Sequence, residues 1–152
     1  MKRWQLFISL LAALCLFTLL PAYGEEVLRG NVINIVDGDT LDVQVGPGKH
    51  RIRLAEIDSP ERNQPWGDEA KQGLASKVLK QEVRIVVIDI DRYGRRVGTI
   101  FLDQTDINRL MVSEGHAWVY RQYLQHKRLI EIETMAREAG VGLWSQSDAV
   151  PP

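Results

Sequence analysis

Residues 27–57, VLRGNVINIVDGDTLDVQVGPGKHRIRLAEI, decide the fold. They contain three runs rich in apolar and β-branched residues, 27–36, 41–45 and 51–57. The turn-forming sequences Asp37-Gly38 and Gly46-Pro47-Gly48 separate the runs. In the middle run apolar and polar residues alternate strictly, as in a strand with one buried face. The pattern therefore predicts three consecutive strands joined by tight turns, a meander.

After residue 57, the spacing of the apolar residues changes twice from the pattern of a strand to that of a helix. Apolar residues with helical spacing begin after Asp68, and the strand period returns at 83–90 and 96–102 around a turn at 91–94. A short helix is predicted over Asp106–Glu114, closed by Gly115, and a last helix ends at Gly140. The apolar residues that predict the first and last helices are Ala70, Leu74, Val78 and Leu79, then Leu129, Ile132, Ala136 and Ala139.

Five strands with the helices inserted late predict an α+β protein, a five-stranded OB-fold Greek-key barrel with three α-helices. No repeat or low-complexity segment interrupts residues 25–152, which are predicted to form one domain. The composition, 45% hydrophobic and 26% charged, is that of an ordinary globular protein. It excludes collagen-like, disordered and repeat architectures.

The N-terminus has the pattern of a secretory signal. Lys2 and Arg3 precede an uncharged, largely apolar run, 4–23, which ends in Ala22-Tyr23-Gly24. We expect cleavage after Gly24 and export, so the mature protein would be secreted or periplasmic. An uncleaved membrane anchor is the alternative, because the run approaches the roughly 18 apolar residues of a spanning helix. Cys15 follows Leu14 rather than a small residue, which argues against lipidation.

Charge and cysteine content limit the function further. Removing residues 1–24 takes away two basic residues and no acidic one, which leaves 17 basic and 20 acidic residues, a net charge of −3 with His neutral. Binding to nucleic acid through a broad basic surface is therefore disfavoured. The only cysteine, Cys15, is lost with the signal, which excludes disulfides and thiolate metal sites in the mature chain.

Three short stretches carry residues suited to chemistry: 37–40 (DGDT), 53–61 (RLAEIDSPE) and 91–96 (DRYGRR). Taken alone, the first is a common hairpin turn and the third a solvated hairpin tip. The second is a strand that carries an arginine and ends in a turn with two carboxylates. Hard cations such as Ca²⁺ take oxygen ligands from turns of this kind.

In this order and between these strands, the three stretches resemble the staphylococcal (micrococcal) nuclease family. The resemblance extends to GHAWVY at 115–120 and GLWS at 142–145, and so covers nearly the whole mature chain. It implies a protein with an OB barrel and three helices, and it implies that this protein hydrolyses phosphodiester bonds of DNA and RNA with Ca²⁺. A monomer without stable membrane association after signal cleavage is expected.

The resemblance also implies roles for single residues. Asp39 and Asp58 match the Ca²⁺ carboxylates, and Ser59 the residue that gives its backbone carbonyl. Glu61 matches the carboxylate that positions or deprotonates the attacking water. Arg53 and Arg95 match the arginines that bind the scissile phosphate. Arginine suits this role because its planar guanidinium can donate to two phosphate oxygens and stays charged.

Substrate contacts are predicted at Tyr93, Tyr123 and Arg92. The two tyrosines match positions that line the nucleotide pocket in the family, although packing on the barrel is the alternative for both. Arg121 stands where the family has a second pocket tyrosine, and Tyr120 is a candidate replacement.

Other conspicuous residues receive structural interpretations. The three histidines lack the spacing of a zinc site, and the segment 125–128 is expected to be a solvated helix face. A non-catalytic OB module that binds single-stranded nucleic acid is the alternative function. The combination of a water-positioning Glu61 with two arginines and two aspartates favours the enzyme, because a binding module needs no such carboxylate.

Overall fold

The computed structural model describes residues 26–147 and 149. The predicted signal peptide, 1–24, lies outside these residues. Within them, no helix is long and apolar enough to cross a membrane. The strands are β1 (Glu26–Ile35), β2 (Thr40–Val45), β3 (Gly48–Leu54), β4 (Ile57–Asp58), β5 (Glu82–Ile90), β6 (Arg96–Leu102), β7 (Thr105–Asp106) and β8 (Trp118–Val119). The helices are α1 (Gly67–Val78), α2 (Ile107–Ser113) and α3 (Arg128–Glu138), with 3₁₀ turns at Arg121–Tyr123 and Gly142–Ser145.

Five long strands close into a barrel. They pair antiparallel in the order β3-β2-β1-β5-β6, and the ring closes through a parallel pairing of β3 with β6. The two-residue strand β7 extends β6, while β4 and β8 pair with each other outside the barrel. The predicted OB-fold α+β architecture, five barrel strands and three α-helices, is thus confirmed.

The barrel interior is filled by the inward residues that the strand period predicted. Leu41, Ile52, Leu54, Ile85 and Ile100 are all fully buried. Each helix adds an apolar face to this core, because burial of apolar surface is what fixes a helix against a sheet. The contributing helical residues are Leu74 and Val78 of α1, Ile107, Met111 and Val112 of α2, and Leu129 of α3.

Two details differ from the sequence prediction. The third strand was expected to reach Ile57, but β3 ends at Leu54, and a turn separates it from β4. Glu56 in that turn has a left-handed φ of 64°, which a continuous strand cannot accommodate. Ala139 was expected on the buried face of the last helix, yet it lies beyond the end of α3 and is exposed.

The hairpin of β2 and β3 sets the position of the functional residues. Thr40 pairs with Arg53 and Asp42 with Arg51 in the antiparallel register. Because side chains alternate along a strand, Arg51 and Arg53 both point outward while Ile52 and Leu54 fill the core. The outer surface of this hairpin therefore carries two arginines in succession.

Candidate active site

Arg53 lies between two carboxylates on the outside of the barrel. Its Nη2 is 2.7 Å from Asp58 Oδ1, and its Nη1 is 3.3 Å from Asp39 Oδ2. Asp39 precedes β2 and Asp58 ends β4, so the site joins the start of one strand to the end of another. Only 15% of the Arg53 side chain is exposed, which indicates a fixed guanidinium.

The turn after β3 also holds Arg53. Nη1 donates to the carbonyl oxygens of Leu54, at 2.9 Å, and Ile57, at 2.7 Å. The turn around Glu56 folds the chain back so that both carbonyls face the same nitrogen. In the described residues, Nε and the second proton of Nη2 make no hydrogen bond. These protons are left to contact an anion from outside.

Asp39 is buried and held on both oxygens. Ser59 N donates to Oδ2 at 2.9 Å, and the Thr40 hydroxyl donates to Oδ1 at 2.9 Å. The main chain is also tied to β3, because Leu54 N donates to the Asp39 carbonyl at 2.8 Å. These bonds place the carboxylate of Asp39 against the backbone of Ser59, twenty residues further along the chain.

The carboxylates of this site carry more negative charge than their donors offset. Burial raises the pKa of Asp39 to about 7, against the opposing effect of Arg53 and with a further contribution from Asp37. Burial also raises the pKa of Asp58; Arg53 opposes this, and the charges of Glu61 and Asp37 add to it. One guanidinium shared by two aspartates does not neutralise them, so the site favours an additional cation.

Ser59 has an unsatisfied polar atom. Its hydroxyl oxygen is buried and has no hydrogen-bond partner among the described residues. A Cβ on Gly38 would come within 2.7 Å of Ser59 Cβ and Oγ, so the glycine permits the turn before β2 to lie directly on Ser59. Two carboxylates beside an unpaired hydroxyl are a donor set of hard oxygens, which fits a hard divalent cation.

The protein side chains alone do not complete a metal site. Within residues 26–147 and 149, no group of three or more His, Cys, Asp or Glu side chains is arranged to hold a metal. Asp39 and Asp58 would need backbone carbonyl and water oxygens to fill the coordination of a cation. Hard divalent cations commonly take such mixed sets.

Glu61 stands at the start of a tight loop beside this site. Glu61 N donates to Gln64 Oε1 at 2.6 Å, and Gln64 N donates back to the Glu61 carbonyl at 2.8 Å. A Cβ on Gly67 would lie 2.1 Å from that carbonyl, so only glycine fits where the loop meets α1. The Glu61 carboxylate is exposed and makes no hydrogen bond within the described chain, yet its charge acts on Asp58. It is available to hold a water molecule.

Arg95 lies in a neighbouring cleft, not against the aspartates. Its Nε is 2.7 Å from Asp91 Oδ2, and its guanidinium is 5.5 Å from the centre of the Tyr93 ring. Arg92 lies over the same ring at 5.2 Å. The cleft, about 380 Å³, is lined by Asp42, Lys49, Arg51, Tyr93, Gly94 and Arg95. Since Val97 pairs with Arg53 across the barrel closure, Arg95 approaches the site from the β6 side.

Tyr123 is separate from the Tyr93 cleft. Its ring is 61% exposed and lies 5.2 Å from the ring of Tyr120, at an angle of 60°. The main chain of this tyrosine pair is tied to the turn that holds Arg53, since Tyr120 N donates to the Glu56 carbonyl at 2.8 Å. The structure thus places two aromatic surfaces on different segments, Tyr93 beside Arg95 and Tyr120 with Tyr123.

Glu56 was not among the residues predicted from the sequence, although its carboxylate holds the main chain of residues 125–126. The buried carboxylate accepts from His126 N at 2.7 Å and is 2.6 Å from His126 Nδ1, and it also accepts from Gln125 N. Burial acts to raise the pKa of Glu56, but these hydrogen bonds outweigh it and lower the pKa. The expectation of a solvated helix face at 125–128 is right about solvent exposure but wrong about the helix, because α3 begins at Arg128 and the main chain of residues 125–126 hydrogen-bonds to Glu56. A glutamate within the apolar sequence LAEI was the available signal.

Comparisons with known proteins identify the family of this chain. Residues 51–146 match the model of the family described as staphylococcal nuclease homologue. A micrococcal nuclease of Shigella flexneri is 40% identical, with 93% of this chain and 86% of that protein covered. An uncharacterised endonuclease of Haemophilus influenzae is 35% identical over 95% of this chain and 82% of its own length.

A second uncharacterised endonuclease, from Escherichia coli, is 38% identical over 82% of each chain. The family match covers Arg53, Asp58, Glu61 and Arg95, and the Shigella alignment covers most of what precedes it. Taken with the closed barrel and its three helices, these matches show that the chain belongs to the staphylococcal nuclease family.

Proposed function

We propose that this protein is an exported Ca²⁺-dependent nuclease that hydrolyses phosphodiester bonds of DNA and RNA. Its family and its relatives, which carry the names nuclease and endonuclease, support a nuclease function. One observation carries the mechanism: Arg53 is fixed between Asp39 and Asp58, and the free carboxylate of Glu61 stands beside them. A phosphate, a cation and a water molecule each have a matching partner there.

Asp39, Asp58 and the Ser59 carbonyl would hold the calcium ion. When bound, the ion supplies positive charge that polarises the phosphoryl oxygens and neutralises part of the charge that develops during attack. Ca²⁺ suits this site better than Mg²⁺, because two carboxylates completed by carbonyl and water oxygens form a flexible cage. Mg²⁺ requires a tighter octahedral geometry.

Arg53 and Arg95 would bind the scissile phosphate. Arg53 has Nε and one Nη2 proton free, which leaves donors on one edge of the guanidinium. Arg95 shares its charge with Asp91 and is 30% exposed, so a phosphate can reach it from the cleft. Donors fixed before the reaction stabilise the added negative charge on the equatorial oxygens at little reorganisation cost.

Glu61 would act on the attacking water. The water oxygen forms the new bond to phosphorus, the bond to the leaving oxygen breaks, and the water proton is taken up. Glu61 either accepts that proton or orients the water by a hydrogen bond, and both roles need an exposed, unpaired carboxylate. The base of a neighbouring nucleotide would stack on Tyr93 or Tyr123, with Arg92 over the Tyr93 ring.

The test compares cleavage with binding in the same variants. We expect the purified protein to cleave DNA and RNA with Ca²⁺ and to stop when a chelator is added. Glu61→Gln and Arg95→Ala should each lower the single-turnover rate by about 10²-fold or more. Their affinity for nucleic acid in matched salt should fall much less. Glu69→Gln, an exposed glutamate of α1, is the control and should cleave like the wild type.

Two outcomes would change this proposal. If both variants cleave at the wild-type rate, the roles given to Glu61 and Arg95 are wrong. If the wild type binds nucleic acid but never cleaves it with Ca²⁺, the protein is a non-catalytic OB module for single-stranded nucleic acid.

Export is the part of the proposal that depends on residues 1–24. Their sequence supports cleavage after Gly24 and release of a monomer to the periplasm or the medium. An intact-mass measurement on the protein recovered outside the cytoplasm should give an N-terminus at Glu25. A mass that still includes residues 1–24 would favour the uncleaved anchor.

A further inference from the structure

The second outward arginine of β3, Arg51, belongs to a basic cluster that the proposed reaction does not use. Its Nε donates to Asp42 Oδ1 at 2.9 Å and its Nη2 to Oδ2 at 3.3 Å. Lys49 Nζ is 3.0 Å from Asp42 Oδ2, and Asn34 Nδ2 donates to the same oxygen at 3.1 Å. One buried carboxylate thus anchors two cationic side chains.

The cationic groups of this cluster face solvent. The Asp42 side chain is 1% exposed, whereas Arg51 is 49% and Lys49 is 56% exposed. In the described residues Arg51 Nη1 has no hydrogen-bond partner, and Lys49 Nζ contacts only Asp42. Asp42 therefore fixes the two cations from beneath and leaves N–H donors directed away from the barrel.

The cluster opens into the cleft that contains Tyr93 and Arg95. Lys49, Arg51 and Arg95 line the cleft and Arg92 lies over the Tyr93 ring, which gives four positive charges against the three negative charges of Asp42, Asp91 and Asp37. This local excess of positive charge contrasts with a whole chain of net charge −1. An anion is drawn to this cleft although the protein as a whole does not attract one.

Spacing along β3 suggests which anion fits. Arg51 and Arg53 are two residues apart on the same face, which corresponds to about 6.6 Å along a strand. That distance is comparable with the step between neighbouring phosphates in an extended nucleic-acid strand. Arg53 is the proposed ligand of the scissile phosphate, so Arg51 lies where the next phosphate would fall.

We propose that Lys49 and Arg51 form a second phosphate site, which binds the phosphodiester next to the scissile one in a single-stranded polynucleotide. The inference rests on the proposed function, since Arg53 defines the first phosphate. Tyr93 lies in the same cleft and gives the intervening nucleotide an aromatic face. The site selects substrates with at least two consecutive phosphates over a dinucleotide, which has one.

Binding assays with a chelator test this site without cleavage. The probes are a single-stranded DNA of about a dozen nucleotides and a dinucleotide with one phosphodiester. Because Arg51→Gln alone leaves Asp42 without its main partner, the informative variant is the double change Arg51→Gln with Asp42→Asn. Lys49→Gln is a milder variant that leaves the Asp42–Arg51 pair intact.

We expect the double variant to bind the longer DNA about tenfold more weakly, with a salt dependence lowered by about one phosphate contact. Its affinity for the dinucleotide should fall by a smaller factor. Lys49→Gln should also lower the affinity for the longer DNA and its salt dependence, but by less than the double variant. Arg29→Gln and Lys80→Gln, exposed cations outside the cleft, are charge-matched controls for Lys49→Gln and should bind both probes like the wild type.

The proposal is overturned if the folded double variant and Lys49→Gln both keep the wild-type affinity and salt slope for the longer DNA. It is also overturned if dinucleotide binding falls as much as binding of the longer DNA. Neither result depends on catalysis. A wild-type protein that binds but does not cleave would instead reject the nuclease function and leave the second phosphate site standing.

Discussion

Asp39 and Asp42 are both buried, lie three residues apart, and each contacts an outward arginine of β3. The pKa of Asp39 is raised to about 7, with burial as the largest cause. The pKa of Asp42 is lowered to about 2, with the hydrogen bonds from Arg51 as the largest cause. Two neighbouring carboxylates on one hairpin therefore have opposite electrostatic environments.

Burial and the cations that hydrogen-bond to each carboxylate together explain the difference. Asp42 forms ion pairs with two cations, Arg51 and Lys49, and it also accepts a hydrogen bond from the side-chain amide of Asn34. Asp39 shares a single arginine with Asp58 and has Asp37 as a negative neighbour. The Asp42 carboxylate is neutralised by the protein's own cations, while the Asp39 carboxylate gains when a further cation arrives. The comparison separates a carboxylate that anchors cationic side chains from one that is prepared to bind a cation.

The largest expected effect is the loss of activity in Asp39→Asn. Removing one of the two proposed metal carboxylates should lower the proposed Ca²⁺-dependent cleavage rate by about 10²-fold or more. The same change should not lower the free energy of unfolding in chelator, because an amide needs no counter-charge at this buried position. Rates and denaturant unfolding of Asp39→Asn and of the control Asp103→Asn, an exposed aspartate, test both parts. Full activity with Ca²⁺ in Asp39→Asn would remove this residue from the site.

Calcium should stabilise the wild type through the same residue. A ligand that binds only the folded state adds about 2.7 kcal/mol to the free energy of unfolding at a concentration one hundred times its Kd. We expect a rise in Tm with Ca²⁺, a smaller rise with Mg²⁺, and none in Asp39→Asn. An equal rise in the wild type and in Asp39→Asn would place the calcium elsewhere.

Asp42→Asn should act in the opposite way and destabilise the folded protein. The depressed pKa means that ionised Asp42 stabilises the fold above its unfolded pKa of about 4 and loses this contribution as the pH falls towards about 2. Because Arg51 and Lys49 are half exposed, solvent screening limits the contribution to about 1 to 2 kcal/mol. Unfolding curves of the wild type and Asp42→Asn should differ at neutral pH and converge in acid. A difference that stays constant down to pH 2 would contradict this role.

The smallest effect is expected at His126. The hydrogen bond with Glu56 raises the pKa of His126 above its ordinary value of 6.5, so the charged pair stabilises the fold below that pH. The contribution should disappear as the pH rises through the raised pKa. His126→Gln should therefore lower the unfolding midpoint at pH about 5.5 and leave it nearly unchanged at pH about 8.5. Its side chain is mostly exposed, so we expect a smaller shift than in Asp42→Asn.

Much of the fold could be predicted from the sequence because its determinants are local. The alternation in 41–45 and the Gly46-Pro47-Gly48 turn define the β2–β3 hairpin, and its register then places Arg53 opposite Thr40. The proximity of Arg53 to Asp39 follows from this pairing. The early end of β3 did not follow, because nothing local shows that Glu56 takes a left-handed conformation.

The parts of the site that could not be predicted depend on distant contacts. The carboxylate of Glu56 meets His126 seventy residues later in the chain, and that partner exists only after the last helix docks. The contrast between Asp39 and Asp42 was equally hidden, because both are aspartates of one hairpin in the sequence. The folded structure distinguishes them, because burial dominates at Asp39 while hydrogen bonds from cations dominate at Asp42.

The parallel pairing of β3 with β6 has a consequence for folding. It joins Arg53 to Val97, forty-four residues further on, whereas the other barrel pairings include short hairpins. Long loops close late, because the chain loses conformational entropy on closure before the contacts that stabilise the closed form are made. Before this pairing forms, β6 does not hold Arg95 beside β3, so we expect an unclosed chain to be inactive. Recovery of nuclease activity during refolding should therefore follow the slowest phase of the folding reaction and report barrel closure.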